Sequence, residues 1–201
     1  MKKILLIIIC LICTFGCTSK GDPTLNDKID LKEEIGKDNR IIYFITNKNE
    51  SNIDLIIKTI FYDKDNKKIT EDYSEIKAIS PNNEIAYQLF KTPENYETKK
   101  TTIIPNISKY NDTYENDIKL EVHNAENNFE VYVTNSSKYT LNEISISFVY
   151  YKNNEVVGIS NNIINNLYSQ DTTKIYMSHP YDIKYNEISY DNYKTYINTA
   201  Y

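Results

Sequence analysis

The residues of this chain that could carry chemistry are three cysteines, two histidines, scattered carboxylates and many tyrosines. Cys10, Cys13 and Cys17 stand close together near the N-terminus, so Cys17 is a thiol, half of a disulfide or an attachment point. His123 ends an apolar-alternating stretch and His179 precedes Pro180. No His/Glu/Cys cluster with metal-ligand spacing accompanies either, so both read as surface or loop histidines. Asp63-Lys64-Asp65-Asn66 opens like a calcium loop, yet Lys67 stands where a third ligand belongs and no glycine follows. A hairpin turn accounts for those residues. Asp171 and Asp182 are single carboxylates in loops. There is no Gly-x-Ser-x-Gly elbow, and with four glycines in the chain a phosphate cradle of backbone amides is not expected. The expectation is a non-enzyme with no metal and no cofactor.

The tyrosines are the remaining candidates. Tyr181, Tyr185, Tyr190, Tyr193 and Tyr196 crowd the C-terminal segment that ends at Tyr201. Tyrosine gives large contact area and a polar tip at low entropy cost, which suits stacking on a sugar or a peptide. The competing account is a strand whose positions Tyr193, Thr195, Ile197, Thr199 and Tyr201 serve the core or a sheet face.

The cysteines find their explanation in what surrounds them. Met1-Lys2-Lys3 is a positive start, Ile4 to Phe15 is an apolar run of twelve residues, and Gly16 is small. These are the three regions of an export signal. Twelve residues rise only ~18 Å as a helix, too little for a bilayer core of roughly 30 Å. With a cysteine directly after the small residue, the segment resembles the lipobox of bacterial lipoproteins. That resemblance implies cleavage between Gly16 and Cys17 and a diacylglyceryl group on the Cys17 thiol, anchoring an extracytoplasmic protein to the cell membrane. In a Gram-positive cell this would be the outer face of the cytoplasmic membrane. The alternative is an ordinary signal peptide with an incidental cysteine. After the cut Cys17 would be the last cysteine, so no internal disulfide is possible.

The mature chain would have 201 − 16 = 185 residues, and loss of Lys2 and Lys3 moves the formal charge from −5 to −7. Hydrophobic residues make up 40% and charged residues 25%, an ordinary globular composition. The acidic balance argues against nucleic acid as a partner.

The chain repeats itself. Asn39 to Asn47, NRIIYFITN, matches Asn127 to Asn135, NNFEVYVTN, at an offset of 88. Leu55, Ile57, Thr59 and Phe61 fall over Ile144, Ile146, Phe148 and Tyr150 at 89, and Ile76 and Ile79 over Ile164 and Leu167 at 88. A period this long suits a duplicated domain. The predicted layout is a signal at 1–16, a tether at 17–25, one repeat at 26–105, a linker at 106–114 and a second repeat at 115–201. The apolar period is two in both repeats, with Asp-Asn or Asn-Asn turns between the runs and no convincing helix, so each repeat should be a small antiparallel β-sandwich, Ig-like in architecture. The stretch IIYFI is apolar on both faces, which marks a central strand or a face covered by a neighbour.

At Phe61-Tyr62-Asp63, an aromatic-Tyr-Asp ending a strand before a polar hairpin, the repeat resembles the FxLyD-type domains of bacterial surface lipoproteins. The second repeat has Tyr150-Tyr151-Lys152 there instead. The resemblance implies a β-sandwich on an exported, lipid-anchored protein with no activity attached. The functional expectation is a non-catalytic binding or spacer module of the bacterial envelope, with a protein or cell-wall glycan as ligand. The alternative is an accessory subunit of an envelope complex that pairs through sheet edges.

Overall fold

The computed structural model describes residues 22–37, 39–89, 92–182 and 184–201. The predicted signal, the expected cleavage at Gly16 and the expected lipid attachment at Cys17 lie outside the described residues. Among the described residues the chain is all-β, built of small antiparallel sheets with one four-residue α-helix, α1 (Pro23–Asn26). The first six strands are β1 (Ile29–Ile35), β2 (Ile41–Asn47), β3 (Ile53–Tyr62), β4 (Lys68–Ile79), β5 (Glu84–Gln88) and β6 (Thr98–Ile107). The next six are β7 (Ile118–Asn124), β8 (Asn128–Asn135), β9 (Leu141–Lys152), β10 (Glu155–Leu167), β11 (Thr172–Ser178) and β12 (Asn192–Ala200).

Sheets β1-β2-β5 and β4-β3-β6 share one core built on Ile41, Tyr43, Ile45, Leu55, Ile57 and Phe61. Sheets β7-β8-β11 and β10-β9-β12 share another, built on Phe129, Val131, Val133, Ile144, Ile146 and Phe148. The second arrangement is the first with every strand number raised by six. Period-two alternation produces this directly, because successive side chains point to opposite faces of a strand.

The repeat extends to buried polar residues. Asn47 and Asn135, both 0% exposed, end equivalent strands. Asn47 donates through Nδ2 to Ser51 O and Ile79 O and accepts from Asn49 N. Asn135 makes the same three bonds 88 residues later, to Tyr139 O, Leu167 O and from Ser137 N. One amide closes the loop between two strands and ties it to a third, which satisfies backbone groups that the turn would otherwise leave buried and unpaired.

The two sandwiches are packed against each other. Ile42 and Phe44 of β2 and Ala86 of β5 form a third buried cluster with Val149, Val156, Ile159 and Tyr196 of the second repeat. The doubly apolar face of IIYFI is therefore both central in its sheet and covered by a neighbour. Burial of a large apolar side chain is worth about 1.5–3 kcal/mol, so this joint outweighs the freedom of the connector. The polar residues of β9 that alternate with the core also serve the joint. Ser147 is fully buried, with Oγ 2.9 Å from Ala86 O and 2.7 Å from Asn198 Nδ2. Asn198 Oδ1 accepts from Ala86 N at 3.0 Å, and Lys194 pairs with Glu84 at 2.7 Å.

Both connecting segments are held down. In α1, Asp22 caps the helix through Oδ1 to Thr24 N, and Leu25 is 8% exposed in the first core. Residues 22–25, which the sequence places in the tether, are thus packed on the sandwich. In the expected linker at 106–114, Ser108 N donates to Asn52 O and Asn52 Nδ2 to Tyr110 O, while Tyr110 rests on Tyr201 at 4.0 Å between ring centroids. Among the described residues no helix is long and apolar enough to cross a membrane.

Candidate functional site

Among the described residues, three turns share the same backbone bonding. In Gly36–Arg40, Asp63–Lys67 and Asp182–Asn186 the first N–H donates to the fifth carbonyl, and the fourth N–H donates to the first carbonyl. The fourth residue is left-handed in each, with φ 60° at Asn39, 59° at Asn66 and 63° at Tyr185. Asparagine tolerates that region and tyrosine does not, so Tyr185 is held at a strain of order 1 kcal/mol. The turn that holds it is well tied: Asp182 Oδ1 accepts from Lys184 N at 2.8 Å and Asn186 N at 2.9 Å. Bonds from Asn186 and these amides hold the Asp182 carboxyl below the usual carboxylate range. Asp63 uses its Oδ1 in the same way, accepting from Asp65 N and Lys67 N. The residues that resemble a calcium loop are spent on a turn.

Tyr185 is 88% exposed, the most exposed large hydrophobic side chain among the described residues. Together with Tyr181 it borders a cleft of about 520 Å³ between the two repeats. Arg40 and Gln88 reach the cleft from the first repeat, and Asn161 and Asp182 from the second. Lys37 N donates to Val157 O across the joint at 3.2 Å, which fixes the two walls relative to each other. The loop that carries the tyrosines depends on Gly158. A Cβ there would stand 2.7 Å from Pro180 Cβ, so only glycine lets Pro180 lie flat against β10.

The other candidate tyrosines have different work. Tyr196 is 5% exposed in the joint, its ring 5.9 Å from Phe44, so it is not offered to a ligand. Tyr193 stacks on Phe148 at 5.1 Å and 5°, and Tyr190 packs on Tyr150 at 4.9 Å. Both close the open end of the second core, and their outer faces line a separate open cavity of about 410 Å³. His179 is not a surface histidine as its loop position suggested. It is buried, 4.9 Å from Phe129, with Nδ1 2.7 Å from the Tyr190 hydroxyl. His123 is exposed and lies 2.8 Å from Glu121. Among the described residues no group of three or more His, Cys, Asp or Glu is placed to hold a metal ion.

The structure therefore brings Tyr181 and Tyr185 together and leaves Tyr190, Tyr193 and Tyr196 apart from them. It adds Arg40, Gln88 and Asn161, for which the sequence carries no signal beyond the doubly apolar β2 that foretold a covered face. No protein-family model matches the chain, and no curated protein is similar to it.

Proposed function

We propose that the chain is a lipid-anchored, non-catalytic binding module of the bacterial envelope whose cleft between the repeats takes cell-wall glycan. The observation that carries this reading is Tyr185, an exposed aromatic ring fixed on a strained turn at the mouth of a polar cleft. A flat ring held in place binds the apolar face of a sugar at low entropy cost, and Arg40, Gln88 and Asn161 offer donors and acceptors for hydroxyl and acetamide groups. Sites of this kind form where domains meet.

Orientation favours the same reading. Asp22 is bonded to Pro105 O, and Asn49 Nδ2 reaches Leu25 O, so the chain leaves α1 at the Asn47 end of β2. Arg40 is at the other end of that strand, about 20 Å away at ~3.3 Å per residue. A lipid on Cys17 lies at most ~18 Å of extended chain from Asp22. In this reading the tether joins the fold at the end away from the cleft, which supports a cleft turned toward the wall. The FxLyD-like element adds a compatible detail, since Phe61 is fully buried and Asp63 ties the hairpin.

The Tyr185→Asn variant tests the role of the ring, because its two expected effects have opposite signs. Relief of the left-handed strain should raise stability by about 1 kcal/mol in chemical denaturation. Loss of the ring should weaken co-sedimentation with peptide-stripped wall glycan about tenfold, a change of ~1.4 kcal/mol. Unchanged glycan binding would show that the ring is not the contact.

A further inference from the structure

A second pocket lies between the repeats, independent of the cleft. It encloses about 250 Å³ between β4 and β5 of the first repeat and β9, β10 and β12 of the second. Its existence depends on an irregularity in β12. Ile197 pairs with Ile146 and Thr199 with Ser145, so Asn198 is an extra residue in the strand. Such a bulge turns two consecutive side chains onto one face. Asn198 and Thr199 both line the pocket, whereas Ala200 returns to the core.

Asn198 is fully engaged, through Oδ1 to Ala86 N and through Nδ2 to Ser147 Oγ. Thr199 is not. It is 1% exposed and its Oγ1 has no hydrogen-bond partner in the protein. A buried hydroxyl without a partner costs about 1–3 kcal/mol, and a native fold keeps such a group where something else satisfies it.

The walls say what that could be. Ile76, Ile85 and Ile163 make much of the lining apolar, and Tyr73 and Tyr87 line it together with Glu75 and with Glu143, whose side chain also bonds Tyr201. No lysine or arginine is among the lining residues. The Tyr87 hydroxyl donates to Ser74 Oγ, and burial pushes it up to about 12, so it brings no negative charge of its own. Aromatic faces next to carboxylates, around an apolar space without a competing cation, are the surroundings that favour an organic ammonium group. The volume is below the ~300 Å³ at which drug-sized sites begin, so the occupant is small.

We infer that this pocket binds a small organic cation, an ammonium group on a compact aromatic or branched aliphatic body, with the Thr199 hydroxyl as its polar contact. Calorimetric titration of the full chain with phenethylamine, and with 2-phenylethanol as its neutral counterpart, tests this directly. The amine should bind one-to-one and at least about tenfold more tightly than the alcohol. Tyr73→Ala and Glu75→Gln replace exposed residues and should each weaken the amine about three- to tenfold while the fold persists. The isosteric Thr199→Val should weaken it too, and Tyr185→Asn at the other cleft should leave it unchanged. Equal affinity for amine and alcohol, no saturable binding of either, or undiminished binding in the Tyr73 and Glu75 variants would overturn the assignment.

Discussion

With serine in place of Cys17, the protein is expected to incorporate no fatty acid, an all-or-none loss. Under the proposed cleavage after Gly16, Cys10 and Cys13 would leave with the signal, and Cys17 would be the single thiol able to carry a diacylglyceryl group. Each buried methylene contributes about 0.8 kcal/mol, and two acyl chains make a stable anchor where one does not. The cleaved chain of this proposal would carry a formal charge of −7, from −5 less the two signal lysines, which disfavours an anionic membrane face without the lipid. Metabolic labelling with a fatty acid, comparing wild type and Cys17→Ser, reads the effect. Equal label in the two would end the anchoring proposal.

Alanine at Asn135 should cost about 3 kcal/mol, with a fall in Tm of roughly 6–12 °C for a chain of this size. The side chain is fully buried, and its removal takes away the buried bonds to Leu167 O and from Ser137 N, while Tyr139 O keeps its bond from Ser137 Oγ. Asn47→Ala removes the matching bonds to Asn49 N, Ser51 O and Ile79 O and should cost a similar amount. The comparison is informative because the repeat then predicts energetics as well as strand order. A loss below about 1 kcal/mol at either position, measured by denaturant titration, would mean that relaxation or water replaces these bonds.

The strands were legible because alternation is a local signal: Phe129, Val131 and Val133 against Glu130, Tyr132 and Thr134 admit one reading. The duplication was legible for the same reason, down to Asn47 and Asn135, although their shared role as buried ties was not. What the sequence hid are consequences of one repeat packing on the other. Ser147 and Asn198 are polar residues between apolar ones, with no local mark of burial, and they line a buried joint. The bulge at Asn198 breaks the alternation expected along β12, so Thr199 leaves the inward face that the simple pattern assigns it. Leu25 read as tether because a single apolar residue in a polar run has no period.

The candidate site shows the same division. The crowding of tyrosines was visible, but not which of them share a surface. Tyr181 and Tyr185 do so because Gly158 lets Pro180 approach β10, a contact between residues 22 positions apart. Arg40 and Gln88 come from the other repeat. The strain at Tyr185 was also invisible, since only the bond pattern shared with the Asn39 and Asn66 turns reveals that asparagine is the residue suited to that place.

The central claim is that the cleft faces the wall and holds glycan while the opposite end faces the membrane. Site-specific photocrosslinking in intact cells tests it most directly, with the photoreactive group at position 185 and, as a control, at position 139. Tyr139 is also exposed, in the loop that follows Asn135, and its ring packs on Tyr114 of the connector, which Asn52 ties at Tyr110 to the Asn47 end of the first repeat. A product from position 185 that is shortened by muralytic digestion, with none from position 139, is the predicted result. A protein adduct alone at 185, or equal glycan adducts at both positions, would contradict the account.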